Sequence, residues 1–309
     1  MDRISDAHLH FFTRDVLSFY AEQSAEFGHL QDPAGPVSER LGISLPPKEP
    51  EDLAALWADK LDYHHVSTAW LFGSVPGEQH SIARAVRAFP HKFVGFQMIN
   101  PRDPNIDAVI SDIASSGLRG ILLFPEIHQF FPDDSACLAT YESARKHRLI
   151  VFVHLGPLRI VIQEKLGIPT AANKEFGKSQ RLGEVLSKFP EVPFIVPHFG
   201  CGQLDGLLDR ARETRNLYLD TSSSNAWIQN APEYLNLETV FGKMLEEKAL
   251  GADRLLFGTD STVFPRGWRK EIYDVQRTIL DRLQVTSQER QLIFSDNLER
   301  LVGRSWTPP

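Results

Sequence analysis

Eight short apolar runs, each followed by a longer stretch of helical period, constrain this chain more than any other feature. The runs are residues 4–10, 66–73, 93–99, 118–124, 149–154, 192–198, 217–221 and 254–259, rich in Val, Ile, Leu and Phe. Several are almost continuously hydrophobic, as parallel strands covered on both faces are. Between them, residues 77–89, 104–116, 133–147, 178–189, 202–214, 236–249 and 268–284 carry amphipathic helix patterns, and 286–303 adds a C-terminal helix. The first helix shows the pattern clearly. Leu53, Leu56, Trp57 and Leu61 fall at i, i+3, i+4 and i+8, a single stripe expected to be buried. Eight alternations with no linker or composition shift predict one (β/α)8 TIM barrel spanning 1–309 as a single domain, with an open sheet of the same strands as the runner-up. Two connections are long, 11–50 after the first strand and 155–177 after the fifth. Both leave the C-terminal ends of strands, where barrel loops build sites and lids.

Composition narrows the function classes. Hydrophobic residues at 42% supply a large core, and charged residues at 24% are ordinary for a globular chain, which excludes disordered and fibrous classes. With 33 Lys plus Arg against 40 Asp plus Glu, the net charge of -7 argues against a nucleic-acid or membrane-surface partner, since both need a positive field. Cys137 and Cys201 are too few and too far apart for a disulfide framework or a Cys-rich zinc site, and read as buried thiols of a reducing compartment. The first residues show no apolar signal segment, and no run is long enough to span a bilayer, so the expected location is cytoplasmic.

The polar residues collect at strand ends. The first strand closes Asp6-Ala7-His8-Leu9-His10. Alternation predicts that Asp6, His8 and His10 share the inward face. Two imidazoles two residues apart at a strand end present nitrogens to one point, as a metal ion requires. The fifth run ends at His154, the sixth at His198 and the eighth leads into Asp260. A single strand-end histidine is commonly a hydrogen-bonded core or cap residue. Four histidines and an aspartate, all where barrel active sites form, point instead to a metal centre.

These segments also carry a family resemblance. Asp6-Ala7-His8-Leu9-His10, His154, Pro197-His198-Phe199-Gly200, Leu219-Asp220-Thr221-Ser222 and Gly258-Thr259-Asp260 resemble the amidohydrolase superfamily. More narrowly they resemble its amidohydrolase-related branch, which includes aminocarboxymuconate semialdehyde decarboxylase, resorcylate-type decarboxylases, and lactone or oxalomesaconate enzymes. Ser116-Gly117-Leu118-Arg119-Gly120-Ile121 and the tail Ser295-Asp296-Asn297-Leu298-Glu299-Arg300-Leu301-Val302-Gly303 fit the same branch. The resemblance implies one divalent metal, zinc or alternatively manganese, held by His8, His10, His154 and Asp260. It implies that Asp260 also meets the water of that metal. His198 is implied as an acid/base or substrate-polarising group that ligates in some members. Binuclear members carry a lysine at the end of the fourth strand, where this chain has Gly120-Ile121-Leu122-Leu123-Phe124 and none. Relatives in the branch commonly pair, so a homodimer or larger assembly is expected. Ser261-Thr262-Val263-Phe264 departs from the aromatic-Pro-Phe common there, so substrate preference does not transfer.

Other motifs are weaker. Gly200-Cys201-Gly202-Gln203-Leu204-Asp205-Gly206 has its third glycine one place late for a dinucleotide loop and reads as a tight turn. Arg159, Arg266 and Lys174 are candidates to bind a substrate carboxylate, and each is also a plausible solvated surface charge. Glu126, His128, Asn225 and Trp227 are candidate pocket walls, and Asp6 or Asp220 candidates to orient the ligand imidazoles. The expected function is hydrolysis of an ester, lactone or amide bond of a small organic acid by a metal-activated water. The alternatives are metal-dependent non-oxidative decarboxylation (or hydration) of an aromatic or unsaturated carboxylic acid, and a metal-independent lactonase or organic-acid-binding barrel.

Overall fold

Each predicted run holds one strand of a single parallel sheet that follows chain order. In the computed structural model, which describes residues 2–223, 228, 236–246 and 250–303, these are β1 (Ile4–His10), β2 (Val66–Gly73), β3 (Phe93–Met98), β4 (Gly120–Leu123), β5 (Ile150–Val153), β6 (Phe194–Val196), β7 (Leu217–Asp220) and β8 (Leu255–Leu256). The last strand returns to the first. Ala7 N–H donates to Phe257 O at 2.8 Å, His10 N–H to Ser261 O at 2.8 Å and Asp260 N–H to His8 O at 2.9 Å, closing the barrel.

Alternate side chains sort into two cores. Ala69 and Leu71 of β2 pack outward with the helices, while Trp70 and Phe72 point into the barrel. There Trp70 stacks on Phe96 at 4.6 Å and Phe72 meets Phe152 edge-on at 4.9 Å. Leu298 and Leu301 of the C-terminal helix (Asn297–Gly303) belong to the same cluster. The interior is therefore a packed core, and chemistry is left to the rim.

One expectation fails at β1. Asp6 pairs with Ala69 and Leu9 with Leu71, so three steps on β1 match two on β2. This extra residue is a bulge, which resets the alternation. Ala7 joins the interior aromatics, and Asp6 does not share the face of His8 and His10. Asp6 is fully buried and accepts from Thr259 Oγ1 at 2.5 Å and Trp268 Nε1 at 2.7 Å.

The helices match their patterns over the described residues, which leave out 247–249, with three differences. The first is that 178–189 holds a 3-10 turn (Ser179–Leu182) and a short helix (Gly183–Lys188). In α3 (Pro50–Tyr63) the buried stripe runs through Leu53, Ala54, Trp57, Ala58 and Leu61, whereas Leu56 is 46% exposed. At 3.6 residues per turn Leu56 lies about 130° from the centre of that stripe. The C-terminal segment is helix Ser287–Gln291, a π turn Leu292–Asp296 and the helix already named, rather than one α-helix.

The long connections are structured. The first holds α1 (Arg14–Glu22) and α2 (Ala34–Leu41), and the second a short helix (Val161–Lys165). Val16, Leu17, Tyr20, Phe27, Val37, Ile162 and Leu166 form a third core joining the two. Ser24 Oγ donates to Leu166 O at 2.9 Å across them. Together they make a cap beside the C-terminal mouth. No described helix is long and apolar enough to cross a membrane.

Candidate metal centre

β1, β5, β6 and β8 bring their terminal polar residues to one mouth. His8 Nε2 lies 3.4 Å from His10 Nε2 and 3.7 Å from Asp260 Oδ1, and His10 Nε2 is 3.3 Å from the same oxygen. The far side of each ring is anchored. His8 Nδ1 sits 2.7 Å from Asp220 Oδ2, and His10 Nδ1 is 2.7 Å from Ser74 Oγ. When the rings are neutral, anchoring through Nδ1–H leaves both Nε2 atoms as lone pairs, directed at each other and at a carboxylate.

His198 and His154 complete the mouth. His198 Nδ1 is 2.8 Å from Ser222 Oγ and 3.3 Å from Ser222 O, which leaves Nε2 as its free nitrogen. Ser222 Oγ also reaches His8 Nδ1 at 3.0 Å, and Asp220 Oδ1 accepts the backbone N–H of Ser222 at 2.7 Å and of His198 at 3.3 Å. Asp220 and Ser222 thus hold two imidazoles through one hydrogen-bonded layer. His154 stands 5.1 Å from His198 between ring centres and stacks on Phe124. Its Nδ1 is buried with no hydrogen-bond partner among the described residues. The donor atoms of His8, His10 and Asp260 lie within 4.8 Å of one another, a set that His154 does not join.

Charge and burial oppose each other here. Burial would depress His8, but the charge and hydrogen bond of Asp220 outweigh it and hold His8 above its ordinary value. For Asp260, burial works upward, but the His10 hydrogen bond and the nearby His8 charge keep the carboxylate far below its usual range. Burial lowers His10 and His198, and drives His154 down to about 3. The backbone is held tightly as well. His198 and Asp260 occupy the left-handed region at φ 56° and 58°, a conformation that costs a side-chain-bearing residue about 1 kcal/mol or more.

The remaining candidates separate. Arg159, Lys174 and Arg266 line a cavity above the centre, and so does Arg269, which sequence reading passed over. The turn Pro125–His128 carries His128 away from that cavity, which Ile127 lines instead. Glu126 is buried and accepts the Leu158 N–H at 3.2 Å, so it fastens the loop after β5 rather than walling the pocket. Asn225 and Trp227 lie outside the described residues. Of the two aspartates expected to orient ligands, Asp220 meets the His8 ring, and Asp6 takes only the His8 backbone N–H at 2.9 Å. Ser74 and Ser222 were not expected in that role. Their signal was position, one or two residues beyond a strand end.

The fold and this strand-end cluster define a (β/α)8 barrel of the amidohydrolase type. The chain belongs to that family: the amidohydrolase family model matches residues 5–304. No curated protein matches the chain. Among solved structures it is similar to a probable 2-pyrone-4,6-dicarboxylic acid hydrolase from Acinetobacter baumannii with citric acid bound. The identity is 12% and the TM-score 0.61, covering 98% of this chain and 100% of that one. It is also similar to a 5-carboxyvanillate decarboxylase from Novosphingobium aromaticivorans with bound manganese, at 14% identity and TM-score 0.63, covering 98% and 97%. A third is an amidohydrolase from Burkholderia multivorans with bound zinc, at 13% identity and TM-score 0.64, covering 97% and 99%. At these identities the likeness is one of fold. The family and these neighbours are enzymes, hydrolases and a decarboxylase among them.

Proposed function

We propose that this chain is a metal-dependent hydrolase that cleaves an ester, lactone or amide bond of an organic acid. One divalent ion, zinc or manganese, would be held by His8, His10 and Asp260, with His154 facing it across the mouth. The observation that carries this reading is the convergence of two imidazole lone pairs, 3.4 Å apart, on one carboxylate. With the imidazoles neutral such a set repels itself unless a cation lies among its members, and a divalent ion can meet all three donors at once. The buried Nδ1 of His154, without a partner among the described residues, supports the same reading. Nitrogen and carboxylate donors suit zinc or manganese, the ions in two of the neighbouring structures.

A divalent ion there supplies Lewis acidity, polarising a carbonyl and bringing the pKa of water to about 7. The chain's own residues move the proton. Asp260, held ionised by the imidazoles around it, accepts it from the attacking water. His198 is kept neutral by burial and has Nδ1 committed to Ser222, so Nε2 can take up a proton and deliver it to the leaving group. One observation favours a second reading, decarboxylation: Arg266 faces a largely apolar cavity without an acidic partner among the described residues, and could fix a substrate carboxylate.

Elemental analysis of untagged protein beside a His8→Ala/His10→Ala double variant tests the metal. About one divalent ion per wild-type chain and none in the variant is the expected result. Equal metal in both would overturn the assignment of His8 and His10 as ligands, and no metal in wild type would replace this reading with a metal-free lactonase or binding barrel. A panel of lactones, aryl esters and amides beside hydroxybenzoates, assayed with zinc and with manganese, tests the reaction. Carbon dioxide release outrunning every hydrolysis would overturn it in favour of the second reading.

A further inference from the structure

The cavity over the centre is larger than a compact acid requires. It encloses about 1140 Å³, beyond the roughly 300–1,000 Å³ usual for small-molecule sites. Its wall is mainly apolar: Phe12, Tyr20 and Ile43 come from the first long connection, Ile160 from the second, and Met98 and Phe124 from the barrel rim. Two connections with a hydrophobic core of their own line this space.

The charges on that wall are one-sided. Among the described residues Asp260 is its only carboxylate, against Arg159, Lys165, Lys174, Arg266 and Arg269. Most of these cations have a partner inside the protein. Arg159 is bound by Glu164 at 2.7 Å, Arg269 by Glu271 at 3.0 Å, and Lys165 donates to Leu41 O at 2.7 Å. Lys174 lies in the field of Glu126. Arg266 differs. It donates to Thr262 Oγ1 at 2.6 Å, and among the described residues no carboxylate pairs with it. Burial and the neighbouring Arg269 hold its pKa below the usual value. A guanidinium on the cavity rim beside a second cation is stabilised by an anion, and its planar fork fits a carboxylate.

We propose that the substrate is an amphiphilic carboxylate whose aryl or alkyl body fills the apolar chamber under the cap while its anionic end rests on Arg266. The reacting end then reaches the His8, His10 and Asp260 cluster, and this half of the inference rests on the proposed function. The binding half does not depend on the metal. Two points of attachment separated by an apolar body select for length as well as charge. Compact diacids would leave most of the chamber filled with water, and neutral analogues would leave Arg266 unpaired.

Calorimetry with unreactive probes tests the inference on the full chain. Biphenyl-4-carboxylate, biphenyl-4-methanol and isophthalate are titrated into wild type, Arg266→Ala and the His8→Ala/His10→Ala variant. The long acid is expected to bind wild type about tenfold or more tightly than either the alcohol or isophthalate. Arg266→Ala should close the gap between acid and alcohol and leave alcohol binding unchanged. The double histidine variant should keep that gap. Isophthalate binding as well as the long acid, or an acid–alcohol gap that survives Arg266→Ala, would overturn the proposal. Metal content of the double variant reports separately on the metal reading, so the two can fail independently.

Discussion

Asp220→Asn is the sharpest perturbation of the centre, because it changes one atom in a fully buried group. Asp220 Oδ1 accepts backbone N–H groups from Ser222 and His198, and asparagine keeps an oxygen for both. The amide NH2 must then face His8 Nδ1, which lies 2.7 Å from Oδ2 in the native chain. Two donors cannot meet there, so His8 has to shift its proton to Nε2, the atom directed at His10 and Asp260. The centre loses a lone pair without losing a side chain. Partners of this kind are worth about 10–100-fold in metal affinity, or about 1.4–2.8 kcal/mol, and the forced tautomer places Asp220→Asn at the upper end. Ser74→Ala removes only a neutral hydrogen bond from His10 and should cost about tenfold. Competition against a chromogenic chelator measures both. The pH dependence has a definite sign. Asp220 holds His8 above its ordinary 6.5, so metal must displace that proton, and wild-type affinity should rise as pH climbs through and beyond 6.5. In Asp220→Asn, burial acts on His8 without that opposing charge, and the rise should move to lower pH. An Asp220→Asn affinity within about threefold of wild type would refute the tautomer argument.

Three further outcomes are expected. Glu78 is buried on Thr13 Oγ1 and the Ser74 and Val75 N–H groups, and burial pushes its carboxyl up to about 8 from 4.5. The folded chain therefore loses stability relative to the unfolded one as pH rises from about 4.5 to 8, and Glu78→Gln should gain a few kcal/mol on wild type across that window in denaturant titrations. Trp57→Ala should cost about 3–5 kcal/mol by urea unfolding, whereas Leu56→Ala on the exposed side of the same helix should cost about 0.5 kcal/mol or less; equal losses would contradict the assigned stripe. We also propose that the chain pairs with itself, and light scattering should give at least twice the 34.9 kDa chain mass at micromolar concentration.

The barrel was legible because its signal is local. A parallel strand covered on both faces must be apolar along its length, so runs such as 93–99 and 149–154 declare themselves without reference to partners. The same logic exposed His8, His10, His154, His198 and Asp260. A polar residue that ends an apolar run stands out, and in this topology every such end faces one mouth. Long connections after β1 and β5 likewise announced a site or a lid at the mouth, though not the helices and shared core that build it.

Tertiary structure decided what depends on pairings between distant residues. The bulge in β1 turned Asp6 away from His8 and His10, and it is a property of the register against β2 rather than of β1 alone. Leu56 looked buried because its spacing from Leu53 fits a helix. The two alanines that form the stripe carry too little hydrophobic signal to show which side the barrel would cover. Ser74 and Ser222 hold imidazoles from 64 residues and 214 residues away in sequence, and serine after a strand is too common to single out. The charge of Arg266 was visible in the sequence. That it lines a chamber with no directly paired carboxylate among the described residues, while Arg159 is already paired, is a matter of relative position in space. A sequence specifies which residues can ligate, donate or pack. Only the closed barrel determines which of them meet, because a hydrogen bond or a ligand set is satisfied by distances that the chain fixes only once it has folded.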